Sequence, residues 1–302
     1  MMKLIALPAG YQYADVLAFH GRDPEGVAEQ VSPGCIRKGV LIDGVAVVLT
    51  LTLGSGEVQV TVQADAALTA KAQRQIDDAI LNMLGLRIDP APFLRALAND
   101  PTMGEMEPMA ALAARQPGLR IVQSATIFEA LTWAIIGQQI NLPFAIALRR
   151  SFIMQAGRRH SSGLWCYPEA GDVARLDLSD LTTRKFSRAK AETLLRLAAL
   201  VDSGALTLAR DESAQAVGAR LLAVKGIGPW TVNYALLRGY GYPDCSLHGD
   251  VAVRTALGRL LGEDPKPGIA RAEMLLARYQ PYRSMAAAHL WASLHRRDQE
   301  SA

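Results

Sequence analysis

The chain has 302 residues, 50% of them hydrophobic, enough to bury a sizeable core in about two or three structural units. Its net charge of +3 is mildly basic, which permits a nucleic-acid partner without demanding one. Three scattered cysteines, Cys35, Cys166 and Cys245, exclude a disulfide framework and any Cys-x-x-Cys metal or redox pair. The apolar run before Pro8 is too short for the core of a secretory signal, and no segment approaches the ~20 apolar residues of a membrane span. A soluble chain in a reducing cytoplasm is the expectation.

The first hundred residues are written in strands. Val45 to Leu53 and Glu57 to Gln63 are rich in β-branched residues and are joined by Gly54-Ser55-Gly56. In the second run Val58, Val60 and Val62 alternate with polar residues, which predicts an antiparallel hairpin with one buried face. An amphipathic helix follows from Thr69 to Leu84, with Ile76, Ile80, Leu81 and Leu84 at helical spacing. Residues 1–100 therefore read as a small antiparallel sheet backed by helices.

Strand signals then fade. Thr126-Ile-Phe-Glu129 is a capping box opening a helix, and Pro143 opens the next. Further helices are expected at about 185 to 202, 213 to 224, 229 to 239, 249 to 261, 268 to 279 and 284 to 296, with short links. The fold class is α+β, a sheet unit followed by an all-α region.

Within that region Lys225-Gly226-Ile227-Gly228-Pro229-Trp230-Thr231 admits three readings. A dinucleotide fingerprint fails, because helix precedes the glycines and position 231 is not glycine or alanine. A plain corner between helices would use glycine for its positive φ and Pro229 as the first helical residue. A helix-hairpin-helix would present the N–H groups of the Gly-hydrophobic-Gly turn and the positive helix end to a DNA phosphate. Gly226, Gly228 and Thr231 are then the phosphate contacts, and such a grip carries no base specificity.

Residues 221–257, "LLAVKGIGPWTVNYALLRGYGYPDCSLHGDVAVRTAL", resemble the hairpin, Gly/Pro-rich loop and aspartate signature of the helix-hairpin-helix DNA glycosylase superfamily. The run from Gly226 to Tyr234 is similar to the 3-methyladenine DNA glycosylase II (AlkA-type) branch. Residues 11–20, 128–140 and 281–291 resemble the same family. The resemblance implies an N-terminal domain over 1–100 and two helical subdomains with a cleft between them, one formed by 101–124 with 243–302 and the other by 125–242. It also implies an enzyme that flips alkylated bases such as 3-methyladenine out of double-stranded DNA and hydrolyses the N-glycosidic bond, and one active site on one DNA kink leads to the expectation of a monomer.

Asp250 stands at the family's catalytic aspartate, where it would stabilise an oxocarbenium-like transition state and position water. An aspartate at a helix start is otherwise a cap, and Asp244 in the same loop reads as a turn residue. Family members that also nick DNA carry a lysine where this chain has Trp230, and Lys225 lies on the wrong side of the turn, so no lyase activity is expected. By the resemblance Trp230, Tyr234, Trp291 and Phe19 line the base pocket, the competing reading being aromatic core. The family's wedge leucine is absent after Gly137-Gln138, leaving Gln138, Gln139, Ile140 or Leu142 for that role, with helix capping as the alternative for the two glutamines. Backbone carbonyls of Leu222, Val224 and Ile227 would hold a monovalent cation, Na+ or K+; no cofactor is otherwise implied. His248 reads as a loop residue, and Arg283 as a helix-end or phosphate contact. Two other functions fit the same letters: excision of oxidised or deaminated purines, and damage binding without chemistry.

Overall fold

The computed structural model describes residues 2–99 and 108–300, with side chains in the last helix described as far as Leu294. The expected boundary near residue 100 lies outside the described residues. The chain opens with β1 (Met2–Ala6), α1 (Ala14–His20), β2 (Glu29–Ser32), β3 (Cys35–Ile42), β4 (Val45–Leu53) and β5 (Glu57–Ala64). These strands form one antiparallel sheet in the order β1-β5-β4-β3-β2. The predicted hairpin is β4–β5, with Leu53 opposite Val58 and Val47 opposite Ala64. Asp43 and Gly44, at φ 52° and 77°, make the two-residue turn between β3 and β4 that matches strand twist.

α2 (Ala70–Met83) lies over this sheet, capped by Thr69, whose hydroxyl accepts from the Ala72 N–H at 3.0 Å. Ala72, Ile76, Ala79, Ile80 and Met83 face the sheet core, whereas Leu81 is only half-buried. β-branched inner faces and this apolar helix stripe make a core of their own, distinct from the helical one.

Beyond it run α3 (Ala91–Asn99), α4 (Pro108–Ala114), α5 (Ile127–Gly137) and α6 (Leu142–Ala156). The absence of strands expected after residue 100 is corrected by a miniature hairpin of β6 (Arg158–Arg159) and β7 (Trp165–Cys166). Its end is built by the sheet: Tyr167 donates to the Gly39 carbonyl at 3.1 Å and accepts from Leu41 at 2.9 Å. A Cβ on Gly39 would sit 2.1 Å from the Trp165 carbonyl, so glycine is needed for this approach. Then come α7 (Ala170–Ala174), α8 (Leu178–Thr182), α9 (Arg188–Asp202), α10 (Ala214–Leu222), α11 (Pro229–Ala235), a π-helical turn over Leu236–Tyr240, α12 (Val251–Leu261), α13 (Ile269–Ala277) and α14 (Arg283–Glu300).

Every residue of α5 from Ile127 to Ile136 is buried, as befits a helix surrounded by others. The predicted capping box is only half made. Thr126 accepts from the Glu129 N–H at 3.0 Å, but the Glu129 carboxylate turns inward to Lys38 and Arg149, each at 2.6 Å. Glu29 completes the cluster, 3.1 Å from Lys38 and 2.9 Å from Arg149. Burial alone would raise both carboxyls, yet the charges of Lys38 and Arg149 outweigh it, holding Glu129 below and Glu29 well below the ordinary range. These four charges join β2 and β3 to α5 and α6, so the sheet unit and the helices meet through a buried ion network.

Candidate active site

The glycine pair forms the turn between α10 and α11. Ser213 caps α10 by accepting from Ala216 N–H at 3.2 Å, and the helix ends at Ala223. The Ile227 N–H then returns to the Val224 carbonyl at 3.0 Å, and Ile227 itself is 5% exposed, anchoring the turn in the core. Gly226 sits at φ +98°, and a Cβ there would lie 2.1 Å from Oγ1 of Thr193 on α9, so two independent constraints demand glycine. Gly228 caps α11 with nothing within 4 Å of a Cβ position, leaving open approach to the helix's first N–H groups.

Thr231 can serve the predicted phosphate contact only through its backbone N–H, because its side chain is enclosed. It is 1% exposed, and its hydroxyl accepts from Gln138 Nε2 at 2.9 Å, so the side chain faces the interior. The same Gln138 amide donates to the Gly226 carbonyl at 3.2 Å. Gln138 is also the C-cap of α5, so its side chain ties the α5–α6 loop to the hairpin and is turned away from any wedge role. Lys190 reinforces the tie by donating to the carbonyls of Ile136, at 2.7 Å, and Gln138. Of the other wedge candidates, Gln139 is exposed at φ +54°, and Ile140 packs partly against the helical core. The apolar side chain that projects from this loop is Leu142, 53% exposed, with Phe144 beside it at 38%.

Asp250 is both a cap and the centre of a polar cluster. As N-cap of α12 its Oδ1 accepts from the Val253 N–H at 2.9 Å. Oδ2 accepts from the Trp230 indole at 2.9 Å, and Oδ1 from the Trp291 indole at 3.2 Å. Three N–H donors from three helices therefore fix one carboxylate. The loop before it is pinned rather than loose. Asp244, expected as a plain turn residue, accepts from Arg283 Nε at 2.6 Å and Nη2 at 2.8 Å, which is where the Arg283 guanidinium is engaged. Ser284 donates to the Tyr242 carbonyl and accepts from the Cys245 N–H, and His248 shares a 2.8 Å hydrogen bond with Ser246.

The structure brings all four predicted pocket aromatics together. Trp230 and Tyr234 lie 5.3 Å apart between ring centroids, and Tyr234 and Trp291 lie 6.5 Å apart. Phe19 joins through Arg238, whose guanidinium carbon is 5.2 Å from the Phe19 and Trp291 rings alike. Sequence reasoning missed three members. Trp133 donates from its indole to the Tyr234 hydroxyl at 2.8 Å. Arg22 lies 4.2 Å from Phe19 and 4.7 Å from Trp133. Arg238, four residues beyond Tyr234, was within reach of a helical-spacing argument; Arg22 carried no local signal.

Among the described residues no group of His, Cys, Asp or Glu could hold a metal. The carbonyls assigned to a monovalent cation lie on the hairpin. That of Val224 already accepts the Ile227 N–H, and its second lone pair is of the hard oxygen type such a cation takes. No described helix is long and apolar enough to cross a membrane.

A helical hairpin, an aspartate-capped helix and a cluster of aromatic rings contacting both define a helix-hairpin-helix protein. Residues 132–281 match the model of the HhH-GPD superfamily, base excision DNA repair proteins, and the chain belongs to that superfamily. It is 31% identical over 199 residues to a DNA-3-methyladenine glycosylase of Bacillus subtilis, covering 64% of this chain and 66% of the relative. It is 29% identical over 182 residues to DNA-3-methyladenine glycosylase 2 of Escherichia coli, covering 60% and 62%. The chain thus spans just under two thirds of the length of these curated relatives. A solved 3-methyladenine DNA-glycosylase from Archaeoglobus fulgidus superposes with TM-score 0.80 at 20% identity, covering 96% of this chain and 97% of that one. A Clostridium acetobutylicum 8-oxoguanine glycosylase/lyase in complex with double-stranded DNA gives 0.73 at 13% identity, covering 99% and 98%. These two likenesses bear on the fold, which is the α+β architecture read from the sequence.

Proposed function

We propose that the protein is a monofunctional DNA glycosylase that excises alkylated bases such as 3-methyladenine from duplex DNA, leaving an abasic site for base excision repair. One observation carries the reading. The Asp250 carboxylate, held by the indoles of Trp230 and Trp291, stands at the edge of an aromatic cluster beside the hairpin. The names of the curated relatives point the same way.

In this reading the N–H groups of the Gly226–Gly228 turn and of the first turn of α11 grip a phosphate. A monovalent cation on the carbonyls of Leu222, Val224 and Ile227 would add positive charge there. Leu142 enters the stack as the nucleotide leaves it, the Gln138 bridge holding its loop against the hairpin. The flipped base stacks among Trp230, Tyr234, Trp291 and Phe19. The C1′–N bond then breaks with positive charge building on the sugar, which Asp250 stabilises while orienting the water that adds to C1′. Because the indole of Trp230 occupies the place of a Schiff-base lysine, the product is an abasic sugar with its backbone intact. The protein acts as a cytoplasmic monomer on damaged double-stranded DNA.

The test is single-turnover cleavage of duplexes carrying 3-methyladenine, with wild type and Asp250→Asn. Asparagine keeps the helix cap and removes the charge, so a folded Asp250→Asn protein that releases the base as fast as wild type refutes the assignment. Strand nicking without added alkali refutes the monofunctional reading.

A further inference from the structure

The aromatic cluster includes two cations, Arg22 and Arg238, that stacking on an alkylated base does not call for. Arg22 lies between Phe19 and Trp133, its guanidinium carbon 4.2 and 4.7 Å from the two rings. Two of its nitrogens, Nε and Nη2, are buried and have no hydrogen-bond partner. Arg238 faces the same Phe19 ring, 5.2 Å away, and is anchored by donating from Nη1 to the Val122 carbonyl at 2.6 Å. Burial disfavours the cationic form of Arg238 most, the Arg22 charge adds to this, and Tyr234 and the Asp15 carboxylate oppose it without restoring the ordinary value. Unmade donors on a buried guanidinium cost free energy unless something with lone pairs meets them. Arg238 has one protein acceptor and, like Arg22, a buried Nε without a partner; beside Arg22 the ring faces supply π density, and the Glu29 carboxylate acts on it through charge alone.

We propose that Arg22 is a specificity-determining residue of the base pocket, donating to a flipped neutral base that presents a carbonyl oxygen or ring nitrogen. The proposal rests on the glycosylase reading above and divides the substrates of that same site. A base with a fixed positive charge is repelled by the Arg22 guanidinium it stacks beside, the Asp250 carboxylate lying on the other side of the cluster with Trp230 and Trp291. A neutral base with an acceptor edge gains a charge-assisted hydrogen bond instead. The chemistry separates in the same direction. When a cationic base departs, the electron pair of the broken C1′–N bond neutralises it, and no help is needed. When a neutral base departs, the pair leaves it an anion, which the guanidinium stabilises. Water supplies its oxygen to C1′, and its proton ends on the base through solvent, so atoms and charge balance.

The experiment compares single-turnover release of hypoxanthine, neutral with a carbonyl, and of 3-methyladenine from methylated DNA, for wild type, Arg22→Met and Arg22→Gln. Arg22→Met lowers the ratio of hypoxanthine release to 3-methyladenine release about 30-fold, the size of one charge-assisted hydrogen bond. Arg22→Gln, which keeps a donor without the charge, falls between. Parallel loss on both bases, or no loss on hypoxanthine, overturns the proposal, since a merely structural arginine does not change the ratio. Should Arg22→Met fail to fold, the ratio in Arg22→Gln decides on the same terms. Wild type that releases neither base refutes the glycosylase reading itself, before any variant is compared, and this proposal with it.

Discussion

Replacing Trp230 by phenylalanine keeps a stacking ring and deletes one N–H, which isolates the bond between the hairpin helix and Asp250. That bond is 2.9 Å long and charge-assisted, against 3.2 Å for its counterpart from Trp291. Hydrogen bonds to charged groups contribute about 1.5–3 kcal/mol, and Asp250 is half-buried, so the lower end applies. About 1.5–2 kcal/mol of lost positioning corresponds to a single-turnover rate about 10- to 30-fold slower. Trp291→Phe, losing the longer bond, has the smaller effect. Stability moves by less than about 1 kcal/mol, because Asp250 still accepts from Val253 and caps α12. The assay is release of 3-methyladenine under enzyme excess, repeated in the Asp250→Asn background. There the Trp230→Phe effect shrinks to about threefold or less, since the interaction it removes depends on the charge. An equal loss in both backgrounds refutes the claim that Trp230 acts through the carboxylate and leaves stacking as its role.

Gly226→Ala places a Cβ 2.1 Å from Thr193 Oγ1 at φ +98°, so stability falls by about 2–4 kcal/mol in urea titration and DNA binding weakens with it. Combining it with Thr193→Ala relieves the clash but not the backbone strain, and recovers only part of the loss. Glu129→Gln strands Lys38 and Arg149 with one buried partner instead of two and costs about 3–5 kcal/mol. Because Glu29 and Glu129 titrate below the ordinary 4.5 when folded, their contribution is full above that value and fades as pH falls towards the folded ones. Wild-type stability measured by urea titration therefore declines below about pH 4.5, and the Glu129→Gln slope is shallower. Leu142→Ala slows excision about tenfold while leaving stability within about 0.5 kcal/mol, since the side chain is 53% exposed; unchanged base release removes it as the wedge.

Elements set by local chemistry were legible in the sequence. β4 and β5 end within a residue of the predicted runs, because Gly54-Ser55-Gly56 and the valine alternation are neighbours in the chain. α2 starts one residue after Thr69 for the same reason, its cap being three residues from the N–H it serves. What escaped was decided at a distance. Glu129 sits in a capping-box pattern, but its carboxylate is claimed by Lys38, 91 residues away in sequence. β6 and β7 are too short for periodicity, and exist because Gly39 lets a distant backbone approach. The inward turn of the Thr231 hydroxyl is set by Gln138, which reaches it from the end of another helix. At the site, the cap reading of Asp250 is met by its bond to Val253, and the same carboxylate is free to carry the chemistry proposed for it. Arg22 was not legible, since its place beside Trp133 is fixed by tertiary packing alone.

The cap on α12 has a consequence for how this protein can decay. The oxygen that receives the Val253 N–H belongs to the carboxylate assigned to the chemistry, so erasing that group with alanine also unties a helix, at about 1 kcal/mol. An idle copy of the protein is therefore also a less stable one, unless the replacement is asparagine or another residue that can still cap. Among inactive variants at position 250, those that still cap are therefore the more abundant in cells, by up to several-fold.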